Sequence, residues 1–119
     1  MILRVPAGTK IFLGAPAHAA DPLVQRSVVQ ILQTVPEVVE AHLPQCYVPS
    51  MMTTAAQVLV IVAHKKEFES VLQYVQERVA RLLTPGGHLD IWPLPPESAL
   101  LPAVRAAGCR IFERRPQDR

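Results

Sequence analysis

The sequence predicts a single α+β domain in which helices cover one face of a mainly antiparallel sheet. Two observations lead to this expectation. Strand-like runs and two long amphipathic helical segments follow one another along the chain. The composition of the 119 residues, 50% hydrophobic and 18% charged with a net charge of +2, is that of a globular domain. The 12 prolines, about twice the usual share of roughly 5%, fall mostly between these segments.

The first predicted elements are a short strand at residues 10–14 and a helix that begins after Asp21. Asp21 stands where an N-cap is needed, and Pro22 stands at the first helical position, where a missing N–H is tolerated. Apolar side chains then recur at helical spacing, and Pro36 ends the helix. The residues of this apolar stripe are Val24, Val28, Ile31 and Val35.

Two strands are predicted next. Residues 38–48 form the first, and because Pro44 cannot donate a hydrogen bond to a neighbour, this strand lies at an edge or contains a bulge. Residues 49–55 form a loop. Residues 57–63 are β-branched and apolar on both faces, which is typical of a central strand covered on both sides.

The second helix, at residues 65–83, has the clearest pattern in the chain. Glutamates lie near its start and arginines near its end, the favourable sense for the helix dipole. Residues 84–87, Thr-Pro-Gly-Gly, end it. Its continuous apolar stripe consists of Phe68, Val71, Leu72, Val75, Val79 and Leu82.

The C-terminal part of the chain adds shorter elements. A strand is predicted at residues 88–93, and residues 93–96 form a stiff proline-rich connector. Ser98 caps a short helix that Gly108 closes, and residues 109–113 form a last strand.

The predicted element order is β-α-β-β-α-β with an appended C-terminal α-β. The first six elements match the split βαβ arrangement of a ferredoxin-like fold, a two-layer sandwich. In that arrangement we expect the strand order 4-1-3-2, with the third strand beside the first. Residues 1–119 form one domain, and residues 114–119 are expected to be a flexible tail.

Four segments of core and turn residues carry a family resemblance. They are Gly-x-Lys-Ile-Phe-Leu-Gly-x-Pro at residues 8–16, Val-Pro-Glu-Val-x-x-Ala-x-Leu at 35–43, Gln-Val-Leu-Val-Ile-Val at 57–62 and His-Leu-Asp-Ile-Trp-Pro-Leu at 88–94. Over roughly residues 8–112 the chain resembles the SseB-type, or enhanced serine sensitivity, C-terminal domain. The resemblance implies a bacterial, cytosolic α+β domain without known catalysis. The family usually carries a second, N-terminal domain, which we do not expect within these 119 residues.

The histidines and cysteines do not have the spacing of a catalytic or metal-binding motif, because HExxH, HxH and CxxC are all absent. His42, Cys46 and Asp90 are expected on one sheet face. However, the predicted order puts the strands of His42 and Asp90 at opposite edges, about three spacings of ~4.8 Å apart. We therefore expect no enzymatic activity, no metal and no cofactor. The other histidines, His18, His64 and His88, and the second cysteine, Cys109, have no functional spacing either and are interpreted as ordinary structural or surface residues.

Membrane and nucleic-acid partners are not expected. The longest apolar run, residues 58–63, is far shorter than the about 18–20 residues of a membrane span, and the N-terminus lacks the apolar region of a signal peptide. The local basic excess is confined to residues 110–119, and the sheet lacks the aromatic motif of RNA-binding modules. The chain is therefore expected to be cytoplasmic.

An uncovered sheet face is the feature that points to a function. If Ile11 and Ile91 face the helices, alternate residues of the same strands point away from them. The central strand then places a row of branched apolar side chains on the uncovered face, where burial of each is worth about 1.5–3 kcal/mol. The C-terminal helix and strand at residues 97–113, a second copy or another protein could cover this face. The residues predicted there, as a partner surface, are Lys10, Phe12, His42, Asp90 and Trp92.

The function expected from this surface is that of a non-enzymatic protein–protein interaction module. Trp92 and Phe12 would be its anchors, because aromatic residues dominate interface energetics. Such a module is a homodimeric adaptor or a cognate immunity or inhibitor protein. The alternative is a small-molecule-binding regulatory module of the ferredoxin-like type. That alternative needs a pocket with convergent polar groups, for which Lys10, His42 and Asp90 are the candidates.

Overall fold

The structure, a computed structural model, describes four stretches of the chain: residues 8–16, 21–50, 52–83 and 89–114. Some of the sequence-based expectations fall outside these stretches, namely those for His18, residues 84–87, His88 and residues 115–119.

Six strands and three α-helices lie in the described residues. The strands are β1 (Phe12–Gly14), β2 (Glu40–His42), β3 (Gln45–Tyr47), β4 (Ala56–Val62), β5 (Asp90–Leu94) and β6 (Arg110–Glu113). The helices are α1 (Pro22–Gln33), α2 (Phe68–Leu82) and α3 (Leu101–Ala106), and a 3-10 turn, Lys65–Glu67, leads into α2. The predicted elements are present with shifted boundaries, except that the strand predicted at residues 38–48 is divided into β2 and β3.

The first helix begins where the sequence predicts it. Pro22 is its first residue, and the Asp21 carboxylate accepts a hydrogen bond from the Leu23 N–H at 2.8 Å. This contact satisfies one of the donors that a helix start leaves without a partner. Val28 and Leu32, about one turn apart, are fully buried in the core beneath the helix.

At Pro44, where the sequence predicts an edge strand or a bulge, the chain breaks into β2 and β3, and each of them has a neighbour on both sides. β2 pairs with the C-terminal half of β4, and β3 pairs with its N-terminal end. Pro44 lies between them, and its carbonyl accepts the Val58 N–H at 3.0 Å. Because Pro44 has no N–H to contribute to the ladder, the chain is interrupted there and resumes one step along the same edge of β4.

The strand order differs from the predicted one. β4 lies beside β5 on one side and beside β2 and β3 on the other, while β6 pairs with β2 and β1 pairs with β3. All pairings except β4–β5 are antiparallel, which confirms an α+β fold with a mainly antiparallel sheet. The ferredoxin-like order 4-1-3-2 places β1 between β4 and β5, and this prediction is wrong.

The physical reason for the observed order lies in the strands that compete for the place beside β4. A strand within a sheet covered on both sides needs apolar side chains on both faces. β5 meets this need, because Ile91 and Trp92 point to opposite faces and are both buried. β1 has three residues and its Phe12 is half exposed, so it pairs with β3 at an edge. Helix α2 provides the crossover that the parallel neighbours β4 and β5 require.

Two apolar cores lie on opposite faces of the sheet, and β4 contributes to both. Its Leu59 and Ile61 belong to the first core, which includes residues of α1 and α2. Its Val58, Val60 and Val62 belong to the second core, on the other face. This alternation confirms that β4 is a central strand covered on both sides.

The second core is covered by the C-terminal helix. Leu101 and Val104 of α3 are buried in it, and Ile11, Leu13 and Met52 pack against it. The expectation that helices cover only one face of the sheet is therefore wrong. A helix of six residues is enough for this cover because two other segments, around β1 and after β3, share it.

Arg114 anchors the end of the described chain. Its backbone N–H donates to the Val39 carbonyl at 2.8 Å. Its guanidinium donates to carbonyl oxygens at the C-terminal end of α1 and in the residues that follow, where a positive charge is favourable. These oxygens belong to Leu32 (3.2 Å), Gln33 (3.4 Å), Val35 (3.2 Å) and Val38 (3.0 Å). Arg114, the first residue of the expected flexible tail, is held by these bonds, and residues 115–119 lie outside the described residues.

Candidate functional site

Trp92 lies beneath α3 and not on an open surface. It is 3% exposed and belongs to the second core, together with its β4 neighbour Val60 and Leu101 of α3. The expectation of an exposed Trp92 is wrong, because α3 and the segments beside it close over this face. We call this side of the sheet the covered face.

Three polar side chains meet on the covered face, and we call them the Glu40 cluster: Glu40 and His42 from β2, and Arg105 from α3. The Arg105 guanidinium donates two hydrogen bonds to the Glu40 carboxylate, from Nε to Oε2 at 3.0 Å and from Nη2 to Oε1 at 2.7 Å. His42 Nε2 lies 2.6 Å from Glu40 Oε2. Glu40 is 7% exposed and His42 is fully buried, whereas the Arg105 side chain reaches solvent.

The electrostatics of the cluster favour an ionised carboxylate. The hydrogen bond from Arg105 lowers the pKa of Glu40 below its ordinary value of 4.5, and the contact with His42 acts in the same direction, against the effect of burial. The same hydrogen bond raises the pKa of Arg105. One partner lies on α3 and the other on β2, so the pair joins α3 to the sheet.

His42, Cys46 and Asp90 share the covered face but do not form a catalytic set. Their strands β2 and β5 lie on opposite sides of β4, which separates His42 and Asp90 by two strand spacings, not the three predicted. His42 Nε2 is engaged by Glu40. Burial raises the pKa of the Cys46 thiol, and the charge of Asp90 raises it further. A thiol with a raised pKa is a poor nucleophile at neutral pH.

Exposed Phe12 and Lys10 and half-buried Tyr47 form a group at the edge of the sheet, which we call the Phe12 patch. Phe12 is 50% exposed, and its ring stacks on that of Tyr47, its partner on β3, with centroids 6.4 Å apart and an interplanar angle of 29°. Lys10 Nζ lies 5.4 Å from the centre of the Phe12 ring, within cation–π range. The patch therefore presents an aromatic surface with one positive charge.

The five residues predicted as one partner surface are divided between two sides of the sheet. Trp92, Asp90 and His42 lie on the covered face. Phe12 points to the opposite side, because Ile11 and Leu13, which precede and follow it, pack against the second core. Lys10 accompanies Phe12 and not Asp90 or His42. The polar groups expected to converge on a ligand pocket are therefore not brought together.

Sequence reasoning misses two residues of these sites, Tyr47 and Arg105. Tyr47 stands opposite Phe12 only when the first strand pairs with the second, and the expected ferredoxin-like order excludes that pairing. The signal for Arg105 is a glutamate at an inward-facing position of a strand, which needs a cation close to it. The local sequence does not determine which of the 12 lysines and arginines supplies that cation.

A cleft of about 260 Å³ lies between the C-terminal end of α1 and the first half of α2. It is lined by residues 34–37, which follow α1, and by Ser70, Val71 and Tyr74 of α2. The Tyr74 hydroxyl and Thr34 Oγ1 are hydrogen-bonded at 3.1 Å, so the two helices are joined across the cleft. We call this site the α1–α2 cleft.

Neither a metal-binding cluster nor a membrane-spanning helix is found among the residues that the structure describes. Among them, no group of three His, Cys, Asp or Glu side chains is placed to hold a metal ion. None of the helices in these stretches is long and apolar enough to cross a bilayer.

Comparison with known proteins identifies a family. No curated protein and no solved structure gives a significant match to the chain. One family model, described as the SseB protein C-terminal domain, matches residues 5–114, which is nearly the whole chain. The four segments that carry the resemblance in the sequence all lie within this match. The chain therefore belongs to the SseB protein C-terminal domain family.

Proposed function

We propose that this domain is a non-enzymatic protein–protein interaction module that binds its partner through the Phe12 patch. The observation that carries the proposal is the exposure of Phe12, a large aromatic side chain held at the sheet edge by Tyr47. Aromatic residues with a fixed orientation are typical anchors of protein interfaces, because they bury a large area at a small cost in conformational entropy.

The energetics of the patch support a partner of protein size. Full burial of a phenylalanine side chain is worth about 1.5–3 kcal/mol relative to exposure, and Tyr47 adds to the area that a partner would cover. β1 pairs only with β3 among the described strands, so a partner reaching Phe12 also meets the free side of a strand. The partner is a second copy, as in a homodimeric adaptor, or a different protein, as for a cognate immunity or inhibitor protein.

The non-enzymatic part of the proposal is supported by the state of the nucleophile and base candidates. The Cys46 thiol is buried with a raised pKa, and His42 is buried beside Glu40. The alternative function, a small-molecule-binding regulatory module, stays a prediction. Its three candidate residues, Lys10, His42 and Asp90, lie too far apart in the fold to support it as stated.

Site-specific photo-crosslinking tests this function. A photoreactive phenylalanine analogue replaces Phe12 in one variant and Leu23 in a matched control, since Leu23 is also an exposed apolar residue, at 66%, but lies on α1. In the native host we expect a discrete adduct from position 12 and none from position 23. The mass of the adduct separates a dimer of this chain from a complex with another protein. Equal labelling from both positions, or no adduct from position 12, would contradict the proposal.

A further inference from the structure

The hydrogen bonds at the α1–α2 cleft leave its side chains as acceptors. Thr34 has one hydroxyl hydrogen, which it donates to the Ile31 carbonyl at 2.7 Å. The Tyr74 hydroxyl must therefore donate the hydrogen bond that joins it to Thr34. Ser70 donates its own hydroxyl hydrogen to the Glu67 carbonyl at 3.2 Å. Each hydroxyl in the cleft donates its hydrogen to another group of the protein. Its oxygen lone pairs can therefore accept a hydrogen bond from a ligand.

Glu37 adds a negative charge to this set of acceptors. Its side chain is exposed at the cleft and makes no hydrogen bond or ion pair with any other described residue. The cleft also lies at the C-terminal end of α1, the negative end of the helix dipole. The Arg114 guanidinium already lies at this end, where it binds carbonyl oxygens of the last turn of α1 and of the residues after it, so the charge that Glu37 adds is the part of the cleft's negative potential that no described side chain offsets.

The rest of the lining is apolar. Val35, Pro36 and Val71 provide hydrocarbon surface beside the acceptor groups. A volume of about 260 Å³ lies below the roughly 300–1,000 Å³ of sites for drug-sized ligands, so the cleft suits a group the size of one side chain. Such a group combines a donor-only head with an apolar stem.

We propose that the α1–α2 cleft binds an alkylammonium group, either of a small primary amine or of a lysine side chain. The ammonium carries three donors and no acceptor, which matches the Glu37 carboxylate and the oxygens of Tyr74 and Ser70. The methylene stem lies against Val35 and Val71, as lysine stems do on apolar surfaces. This inference is independent of the Phe12 patch and stands or falls separately from it.

An anion is the wrong ligand for the same site. Inorganic phosphate or a carboxylate would face Glu37 and oxygen lone pairs with no side-chain donor in the lining to compensate for them. The Arg114 guanidinium donates to the Val35 carbonyl at 3.2 Å from beside the cleft, and Arg78 is the cation that the structure places at Tyr74. The Arg78 guanidinium stacks on the Tyr74 ring, 3.4 Å from its centre, and it is not among the lining residues.

Chemical-shift titration of the isotope-labelled full chain tests the proposal. The probes are n-butylammonium chloride, the peptide acetyl-Gly-Lys-Gly-amide, and n-butanol at the same ionic strength as a stem without charge. We expect saturable shifts confined to residues 34–37 and 70–74 with at least one ammonium probe, at a dissociation constant on the order of millimolar. The ammonium probe with the lower dissociation constant shows whether the cleft prefers a free amine or a lysine side chain. Sodium phosphate is expected to give no saturable shift at these residues.

Glu37→Gln is the critical variant, and Glu97→Gln is its matched control. Both residues are exposed glutamates, so each substitution removes one charge without disturbing the core, but only Glu37 lines the cleft. We expect Glu37→Gln to weaken ammonium binding about tenfold, the value of one hydrogen bond to a charged group, and Glu97→Gln to leave it unchanged. Shifts that are absent with both ammonium probes, that are matched by n-butanol, or that weaken equally in both variants would overturn the proposal.

Discussion

Trp92 and Phe12 are aromatic residues on strands of one sheet, yet Trp92 is 3% exposed and Phe12 is 50% exposed. Three segments converge over Trp92, whereas Phe12 points to the other side at the edge strand, with Tyr47 as its ring partner. The difference teaches that the element stacked on a face, and not the strand itself, decides whether an aromatic residue stabilises the fold or is left for a partner. On this basis we expect the covered face to serve stability, and we propose that the Phe12 patch serves binding.

The largest expected effect separates these two roles directly. Trp92→Ala removes a buried aromatic side chain and leaves a cavity in the second core, so we expect a loss of about 3–5 kcal/mol in the free energy of unfolding. Phe12→Ala is expected to cost about 0.5 kcal/mol or less, as is usual for a surface position. Urea denaturation followed by far-UV circular dichroism measures both. Similar losses for the two variants would remove the distinction between the covered face and the patch.

The second prediction concerns the charged side of the covered face. Glu40→Ala leaves His42 buried without its partner and frees Arg105, so we expect the free energy of unfolding to fall by about 2–3 kcal/mol. The matched control is Glu113→Ala, because Glu113 forms an exposed ion pair with Arg110 at 3.3 Å. Exposed pairs contribute about 0–1 kcal/mol. If the control costs as much as Glu40→Ala, the cluster does not stabilise the attachment of α3.

Local patterns in the sequence predict the elements well, and the reasons are visible in single residues. Asp21 and Pro22 mark the start of α1, Pro44 marks the break between β2 and β3, and Gly108, with φ at +72°, closes α3 as only glycine does easily. These signals act within a few residues of where they stand. Their effects on local structure could therefore be predicted without knowledge of the fold.

Contacts between distant segments could not be predicted from local sequence patterns in the same way. The pairing of β1 with β3, and not with β4, depends on a competition between strands far apart in the chain. The hydrogen bond between Arg105 and Glu40 joins residues 65 positions apart, and Arg105 lies on α3, the helix that covers Trp92. The exposure predicted for Phe12 is found, but the single surface predicted for Phe12 and Trp92 is not, because strand order and α3 together decide that outcome.

A smaller effect is expected at the end of the described chain. Arg114→Ala removes hydrogen bonds to four carbonyl oxygens around the C-terminal end of α1, so we expect a loss of about 1–2 kcal/mol in the free energy of unfolding. Arg110→Ala is the matched control, since Arg110 is half exposed and pairs only with Glu113 among the described residues. Its expected cost is about 0.5 kcal/mol or less. Hydrogen exchange of the α1 amides would show whether the loss is confined to the helix that Arg114 holds.

The smallest expected effect is a dependence of stability on pH that originates in the Glu40 cluster. In the folded chain, the hydrogen bond from Arg105 holds the pKa of Glu40 below the value of 4.5 that the unfolded chain is expected to show. As the pH falls past that value, the unfolded state therefore binds a proton before the folded state does. The contribution of Glu40 to stability is thus complete above about pH 5 and is lost as the pH falls through the lowered pKa.

Glu40→Gln isolates this contribution, because glutamine has a similar shape and does not titrate. We expect the difference in unfolding free energy between wild type and Glu40→Gln to stay constant from about pH 7 to pH 5 and to shrink toward pH 3. The Phe12→Ala variant has no titrating group at position 12, so its difference from wild type should not change over the same range. A constant difference for Glu40→Gln down to pH 3 would mean that Arg105 does not hold the folded carboxylate ionised. The covered face would then owe its stability to its apolar core alone.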